Sequence, residues 1–456
     1  MYDKKNKLNA KTWPLIFQDS PDDVIAVQNG KVISRAQFLQ HVNQLATRLP
    51  EKAYVINLCQ NRYHFMVSFA AAILARQVTL LPSNQVCNEV NTLTEAYQDS
   101  YIVLDSAIPD LIAEQFYVEI EADDDLAGDG KTVPEIPADQ MVAMVFTSGS
   151  TGQSKGNHKY WGELSAGTAL LASRFGFDVS VVYTIVATVV PQHMFGLETS
   201  ILLPMLTPTR MHIDRPFYPA DVQRSLAEAG LPRVLVTTPI HLRAIHNAGI
   251  DWPETKFVLS ATAPLSRDLA EGIESVMQTE VCEIFGCTEA GSFASRKTVQ
   301  DDGWILYDGF SLRVGRSRSE LLAPHLSQPV YLFDVVEIIS PGHFRVLGRH
   351  ADLLNIAGKR ASMGDLNQKL MQIKGVDDGV FYMPVPFEDE KSVVRLAVFV
   401  VAPDIPDDVI MLELSRNIDA AFLPRHIIRL EQLPYNNMGK LPHQALSDLY
   451  NRYKRK

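Results

Sequence analysis

Up to about Ala290 the chain repeats one unit: a short apolar run followed by a stretch with amphipathic-helix spacing. Tyr54-Val-Ile-Asn-Leu58 leads into Tyr63 to Ala75, Arg233-Val-Leu-Val-Thr237 into Pro239 to His246, and Lys256-Phe-Val-Leu-Ser260 into Arg267 to Met277. Tyr101 to Leu104 and Val281 to Phe285 read as further short strands, and the run Val181 to Val190, closed by Pro191, as a buried strand. Strands alternating with helices predict an α/β fold of layered subdomains with mainly parallel sheets. From Gly303 to Leu347 the runs are short and lack helices, which predicts a β-rich subdomain. After Arg349 a smaller α+β unit is expected, with helices near Gly364 to Ile373 and Asp407 to Ala421, and strands near Val376 to Met383 and Val393 to Val401. The acidic stretch Glu121 to Asp139 reads as a loop, and the basic tail Arg452 to Lys456 as a solvated terminus.

With 456 residues, 46% of them hydrophobic and 21% charged, the chain has room for several domains with a sizeable core. A formal charge of −11 argues against general nucleic-acid binding, because a polyanion would be repelled. The residues after Met1-Tyr-Asp-Lys-Lys-Asn-Lys form no apolar stretch, so no signal peptide is expected, nor does any run reach the length of a membrane span. Cys59, Cys87, Cys282 and Cys287 show neither a Cys-x-x-Cys pair nor zinc-ligand spacing, and fit reduced thiols of a cytoplasmic protein.

The chemistry concentrates where Met141-Val-Ala-Met-Val-Phe146 runs into Thr147-Ser-Gly-Ser-Thr-Gly-Gln-Ser-Lys-Gly156. Glycines let backbone N–H groups curl around phosphate oxygens, hydroxyls add donors, and Lys155 adds positive charge. A Walker loop is excluded, because no Gly-Lys-Ser/Thr stands at the required spacing. Further along, Glu283-Ile-Phe-Gly-Cys-Thr-Glu289 places an aromatic ring able to stack on a flat base beside a carboxylate able to hold Mg²⁺.

The decapeptide resembles the phosphate loop of the adenylate-forming superfamily, which includes acyl-CoA synthetases, aryl-CoA ligases and carrier-protein-loading adenylation domains. It departs from that loop only at Ser154, where proline is usual. Further segments follow in the family's order. Ser260-Ala-Thr-Ala-Pro-Leu265 is similar to the strand end that lines the adenine pocket. Glu283 to Glu289 is similar to Tyr-Gly-x-Thr-Glu, with Phe285 for tyrosine. Gly348-Arg-His-Ala-Asp-Leu-Leu-Asn-Ile-Ala-Gly-Lys-Arg360 matches the hinge motif, with Ala351 where Asp or Lys is usual, and Leu433-Pro-Tyr-Asn-Asn-Met-Gly-Lys-Leu441 matches the terminal lysine motif.

The resemblance implies a large domain over residues 1–348 and a small, mobile C-terminal domain over 349–456. It implies ATP and Mg²⁺ as cofactors and CoA as co-substrate, in a reaction that joins a carboxylic acid to AMP and then to a thiol. Thr147, Ser148, Gly149, Ser150, Thr151, Gly152 and Lys155 would bind phosphate. Ala261, Thr262, Ala263, Phe285 and Gly286 would line the adenine site, with Asp334 and Arg349 on the ribose and phosphates. Thr288, Glu289 and Lys440 would be catalytic, Glu289 also holding the metal. His193 and Phe195, in Pro191-Gln-His-Met-Phe-Gly196, would shape the acid pocket with Cys287, and Gly358 the thiol passage. An aryl acid is the preferred substrate class. Two rivals remain: delivery to the phosphopantetheine of an acyl carrier protein, and a nucleotide-binding regulatory protein without turnover.

Overall fold

A computed structural model describes residues 10–83, 85–120, 130–148, 154–177, 181–315, 318–349, 353–356, 359–384, 395–436 and 441–454. The chain divides into two compact units: one takes in Met1–Asp301, Ile305–Ser311 and Leu322–Val330, the other Asp302–Trp304, Leu312–Leu321 and Tyr331–Lys456.

Two large sheets form most of the first unit. One has the strand order Ser154–Tyr160, Met141–Ser148, Val78–Leu81, Tyr54–Asn57, Ser100–Leu104, Gln115–Tyr117. All its pairings are parallel except the first, an antiparallel hairpin that sets Lys155 opposite Thr147 and Lys159 opposite Ala143. In the other sheet Val24–Gln28, Arg210–His212, Thr184–Ala187, Arg233–Thr237, Phe257–Ser260 and Glu280–Cys287 run parallel, and Gly291–Lys297 turns back antiparallel. Such strands are buried on both faces, which is why they read as unbroken apolar runs.

The core between the sheets holds Val55, Val103 and Val145 from one and Ala26 and Met211 from the other, with the helices Arg35–Ala46, Arg62–Leu74 and Trp161–Phe175 packed among them. Each helix begins or ends for a local reason. Ser34 and Gln37 form a capping box, the Asn61 side chain accepts from the N–H groups of Tyr63 and His64, and Gly176 closes the third helix at φ 74°. The outer face of the first sheet packs on Val90 and Leu93 of the helix Cys87–Ala96. That of the second packs on helices Pro219–Glu228, Pro239–His246 and Arg267–Met277. The first unit is therefore helix, sheet, helices, sheet, helices. The expectation of an α/β fold with mainly parallel sheets holds.

Two expectations need correction, and a third holds with a helix added. The run from Val181 begins its strand only at Thr184, where pairing with Arg233 starts, and Val181 and Val182 are exposed. Within the supposed loop, Glu135–Pro137 pairs antiparallel with Thr12–Pro14. The tail is exposed from Arg452 to Lys454 but closes a helix, His443–Lys454, because Leu446 and Tyr450 recur at helical spacing and bury together.

The second unit contains the antiparallel pair Asp334–Ser340 and His343–Arg349, and a sheet ordered Asp378–Tyr382, Ala397–Val401, His426–Arg429. Helices Met363–Met371 and Asp407–Asn417 cover one face of that sheet, and His443–Lys454 the other. This is the smaller α+β arrangement expected.

Candidate active site

Three candidate segments of the first unit share one edge. Gln192 and His193, Ala261 to Ala263, and Phe285 to Glu289 lie at or just beyond the C-terminal ends of Thr184–Ala187, Phe257–Ser260 and Glu280–Cys287, parallel strands of the same sheet. Open α/β sheets bind their ligands in the crevice outside those ends.

The phosphate segment is the tip of the hairpin Met141–Ser148 and Ser154–Tyr160. Lys155 is exposed there and stands across from half-buried Thr147, and Ser148 is paired with Ser154. Gly149, Ser150, Thr151 and Gly152 lie outside the described residues. Behind the tip, buried Asn157 donates to the Val145 carbonyl at 3.1 Å, which braces the ladder.

At the end of Phe257–Ser260, Ala261 is buried, Thr262 exposed and Ala263 half-buried. Thr262 has φ 80°, a conformation costly for a β-branched residue and characteristic of functional sites. The segment is anchored just beyond by Glu283, whose buried carboxylate accepts from Leu265 N–H at 3.2 Å, Thr298 Oγ1 at 2.9 Å and Arg296 Nε at 2.6 Å.

Phe285 is half-buried and meets Phe293 edge-to-face, centroids 5.3 Å apart. Gly286 is required by the hairpin itself, since a Cβ there would stand 2.5 Å from the Gly291 carbonyl oxygen. Cys287 ends the strand and Thr288 and Glu289 follow in the turn, all half-buried. Burial, with the Glu289 charge nearby, pushes the Cys287 thiol up to about 12, so it rests protonated and suits a pocket wall rather than a nucleophile. Among the described residues no hydrogen bond or ion pair engages the Glu289 carboxylate. A single carboxylate of this kind fits Mg²⁺, which takes one or two carboxylates alongside phosphate oxygens and water.

His193 stands immediately before the short helix Met194–Leu197, half-buried, as is Phe195. Gly196 permits this bend, because a Cβ would fall 1.9 Å from the Val190 carbonyl oxygen. The next residues, Glu198–Leu202, form a π-helical turn, a geometry frequent at functional sites.

Two residues of the site escaped sequence reasoning. Lys159, at the base of the phosphate hairpin, is 3% exposed and donates from Nζ to the Glu289 carbonyl oxygen at 2.8 Å. Glu198 is 4% exposed, and both its oxygens lie 3.1 Å from Ser292 N. Burial lowers the Lys159 pKa and raises that of Glu198 to about 7, while each charge opposes the other's shift. The available signal was a lone carboxylate inside the apolar run Phe195 to Leu203.

Asp334 and Arg349 belong to the second unit, where they stand directly opposite each other in the antiparallel pair. Gly358 and Lys440 lie outside the described residues. Elsewhere, His212, Asp214 and Glu228 bring their ligand atoms within 4.8 Å of one another. Asp214 already accepts from Gln28, and Glu228 sits 3.5 Å from His212 Nε2, so ordinary polar pairing accounts for that cluster.

Residues 16–308, more than half of the chain, match the family model described as AMP-binding enzyme. The chain belongs to the AMP-binding enzyme family. The likeness to adenylate-forming enzymes drawn from the motifs is borne out. A long-chain-fatty-acid–CoA ligase of Salmonella typhimurium is 20% identical over 352 residues, 69% of this chain and 63% of that protein. A 4-coumarate–CoA ligase of Halorhodospira halophila is 25% identical over 301 residues, 65% of this chain and 73% of that one. Among solved structures, ATP-bound MatB from Rhodopseudomonas palustris is similar with a TM-score of 0.79 at 19% identity, over 96% of this chain and 97% of that one. This AMP-binding enzyme thus spans less than two thirds of the length of the first of these relatives. Among its described residues no helix is long and apolar enough to cross a membrane.

Proposed function

We propose that the protein is a ligase that activates a carboxylic acid with ATP and passes the acyl group to the thiol of CoA. The observation that carries this reading is the convergence of the phosphate hairpin on the Thr288–Glu289 turn through the Lys159 hydrogen bond, at the C-terminal edge of a parallel sheet. The CoA-ligase relatives support the thiol, and the ATP-bound structural neighbour supports the nucleotide.

In the first step a carboxylate oxygen attacks the α-phosphorus of ATP, an acyl–O–P bond forms, and pyrophosphate leaves. Backbone N–H groups of the hairpin tip and Lys155 hold the departing phosphates. Thr288 donates to the phosphate or to the incoming carboxylate. Glu289 would hold Mg²⁺, which supplies positive charge against the phosphate oxygens. Phe285 and the Ala261–Ala263 backbone form the walls of the adenine site, Asp334 accepts from the ribose hydroxyls, and Arg349 pairs with ribose or phosphate oxygens. Lys440, on the small domain of residues 349–456, touches carboxylate and phosphate together and offsets the charge that grows in the transition state. In the second step the thiol attacks the acyl carbon, AMP leaves, and the thioester forms. His193, Phe195 and Cys287 bound the acid, Gly358 the thiol passage.

An aryl acid is the preferred substrate, and the setting is cytoplasmic. ATP–pyrophosphate exchange across a panel of aryl and alkyl acids tests the reading. Exchange with one acid class is expected, and silence with every acid would favour a binding module. AMP release driven by free CoA rather than by a phosphopantetheinylated carrier protein is the expected second result, and the reverse would reassign the acceptor.

A further inference from the structure

We propose that Lys159 and Glu198 act as a positioning pair that fixes the turn carrying Thr288 and Glu289, and so sets the protein's grip on the metal nucleotide. The proposal rests on Glu289 holding Mg²⁺.

Three separate segments meet at this turn. Lys159 comes from the return strand of the phosphate hairpin, Ser154–Tyr160. Glu198 comes from the π-helical turn that follows His193 and Phe195. Between them the chain bends from Glu280–Cys287 into Gly291–Lys297, with Cys287 paired to Gly291 and Gly286 to Ser292. Lys159 Nζ donates to the carbonyl oxygen of Glu289 at 2.8 Å, on the near side of the bend. The Glu198 carboxylate accepts from the N–H of Ser292 at 3.1 Å, on the far side.

The backbone is shaped for this contact. Gly291 adopts φ 74°, and a Cβ there would fall 2.3 Å from Glu198 Oε1. Only glycine lets the carboxylate reach the backbone at that point. Burying an ammonium and a carboxylate is expensive, and apolar side chains of similar volume would fill the space at less cost. What the charged pair provides is direction: charge-assisted bonds to one carbonyl and one N–H leave the turn little torsional freedom. The Glu289 carboxylate is then offered in place, without reorganisation when the nucleotide arrives. Because one anchor lies on the hairpin and the other next to the acid pocket, the pair joins the three parts of the site.

The test compares Lys159→Met, the double variant Lys159→Met/Glu198→Gln and the reference Glu289→Gln with the unaltered protein. Two readouts are taken: calorimetric ATP binding at a series of Mg²⁺ concentrations, and the KM and kcat of ATP–pyrophosphate exchange. Support around a metal ligand is worth roughly 10–100-fold in metal affinity, so both Lys159 variants should need about tenfold more Mg²⁺ for half-maximal ATP binding. The rise should appear in the KM for Mg-ATP more than in kcat. The double variant leaves no buried charge without a counterpart, and it decides the matter if the single variant fails to fold. A folded double variant with the unaltered protein's Mg²⁺ dependence would reduce the pair to filler. If Glu289→Gln shifts the Mg²⁺ dependence and the double variant does not, only the pair is lost. If Glu289→Gln leaves that dependence unchanged, the metal assignment falls and the pair's role falls with it.

Discussion

The two ends of one strand, Ser154–Tyr160, carry a lysine each and use it in opposite ways. At the tip Lys155 is exposed, next to Gly156 in the chain. At the base Lys159 is buried and spends its charge on a carbonyl 130 residues away. Under the proposed function the first lysine serves the ligand, whereas the second is tied into the protein's own backbone. Two cations in the same strand are therefore expected to fail differently when removed: one in nucleotide use, the other in folding and turn geometry.

The sharpest contrast with Lys159 comes from Lys440. Lys440→Ala should lower acyl-adenylate formation by about a thousandfold or more, the scale of losing a group that stabilises transition-state charge, with ATP binding and the melting temperature little changed. Undiminished acyl-AMP formation would remove that lysine from the reaction. Lys159→Ala should instead cost stability, about 1.5–3 kcal/mol in urea unfolding, the worth of a hydrogen bond from a charged group, because it takes the buried donor away from the Glu289 carbonyl. A loss below 1 kcal/mol would erase the difference between the two ends of the strand.

Glu198 sharpens the comparison through pH. Its folded carboxyl, raised to about 7 by burial, holds a proton more tightly than the unfolded one. The stability this contributes is full below the unfolded pKa and is lost as pH rises through about 7, an effect of up to about 3 kcal/mol. Unfolding free energies at pH 5 and pH 8 should differ in that direction, and Glu198→Gln should flatten the slope. An unchanged slope would show that Glu198 is not the group responsible. The smallest effect is expected at the tip. Lys155→Ala should reduce kcat/KM for Mg-ATP by roughly 10-fold, the worth of one charge-assisted contact, while leaving the melting temperature in place. A fall in melting temperature comparable to that of Lys159→Ala would mean that both lysines are structural.

Much of the fold could be read directly. The parallel strands showed as apolar runs because burial on both faces demands it, and helices such as Pro239–His246 and Arg267–Met277 showed by period. The short pairing of Thr12–Pro14 with Glu135–Pro137 did not show, since each segment is too short for a periodic signature and its partners, including Trp161 Nε1 on the Trp13 carbonyl, come from far along the chain. The helix His443–Lys454 was legible in the spacing of Leu446 and Tyr450, but the basic residues at its end drew the reading towards a plain terminus.

The site divides along the same line. A residue suited to an anion, a flat ring or a metal shows that suitability in its own type and in its immediate neighbours, so Lys155, Phe285 and Glu289 stand out as candidates in the bare chain. Gly286 reads in the sequence as part of the adenine site, yet the nearby Gly291 carbonyl already demands a glycine there, as other close atoms do at Gly196 and Gly291. The partnership of Lys159, Glu198 and the turn between them could come only from the folded molecule. Periodicity and turn chemistry act over a few residues and are written locally. The partner of a buried charge is whatever distant segment packing delivers to it, and no local pattern records that choice.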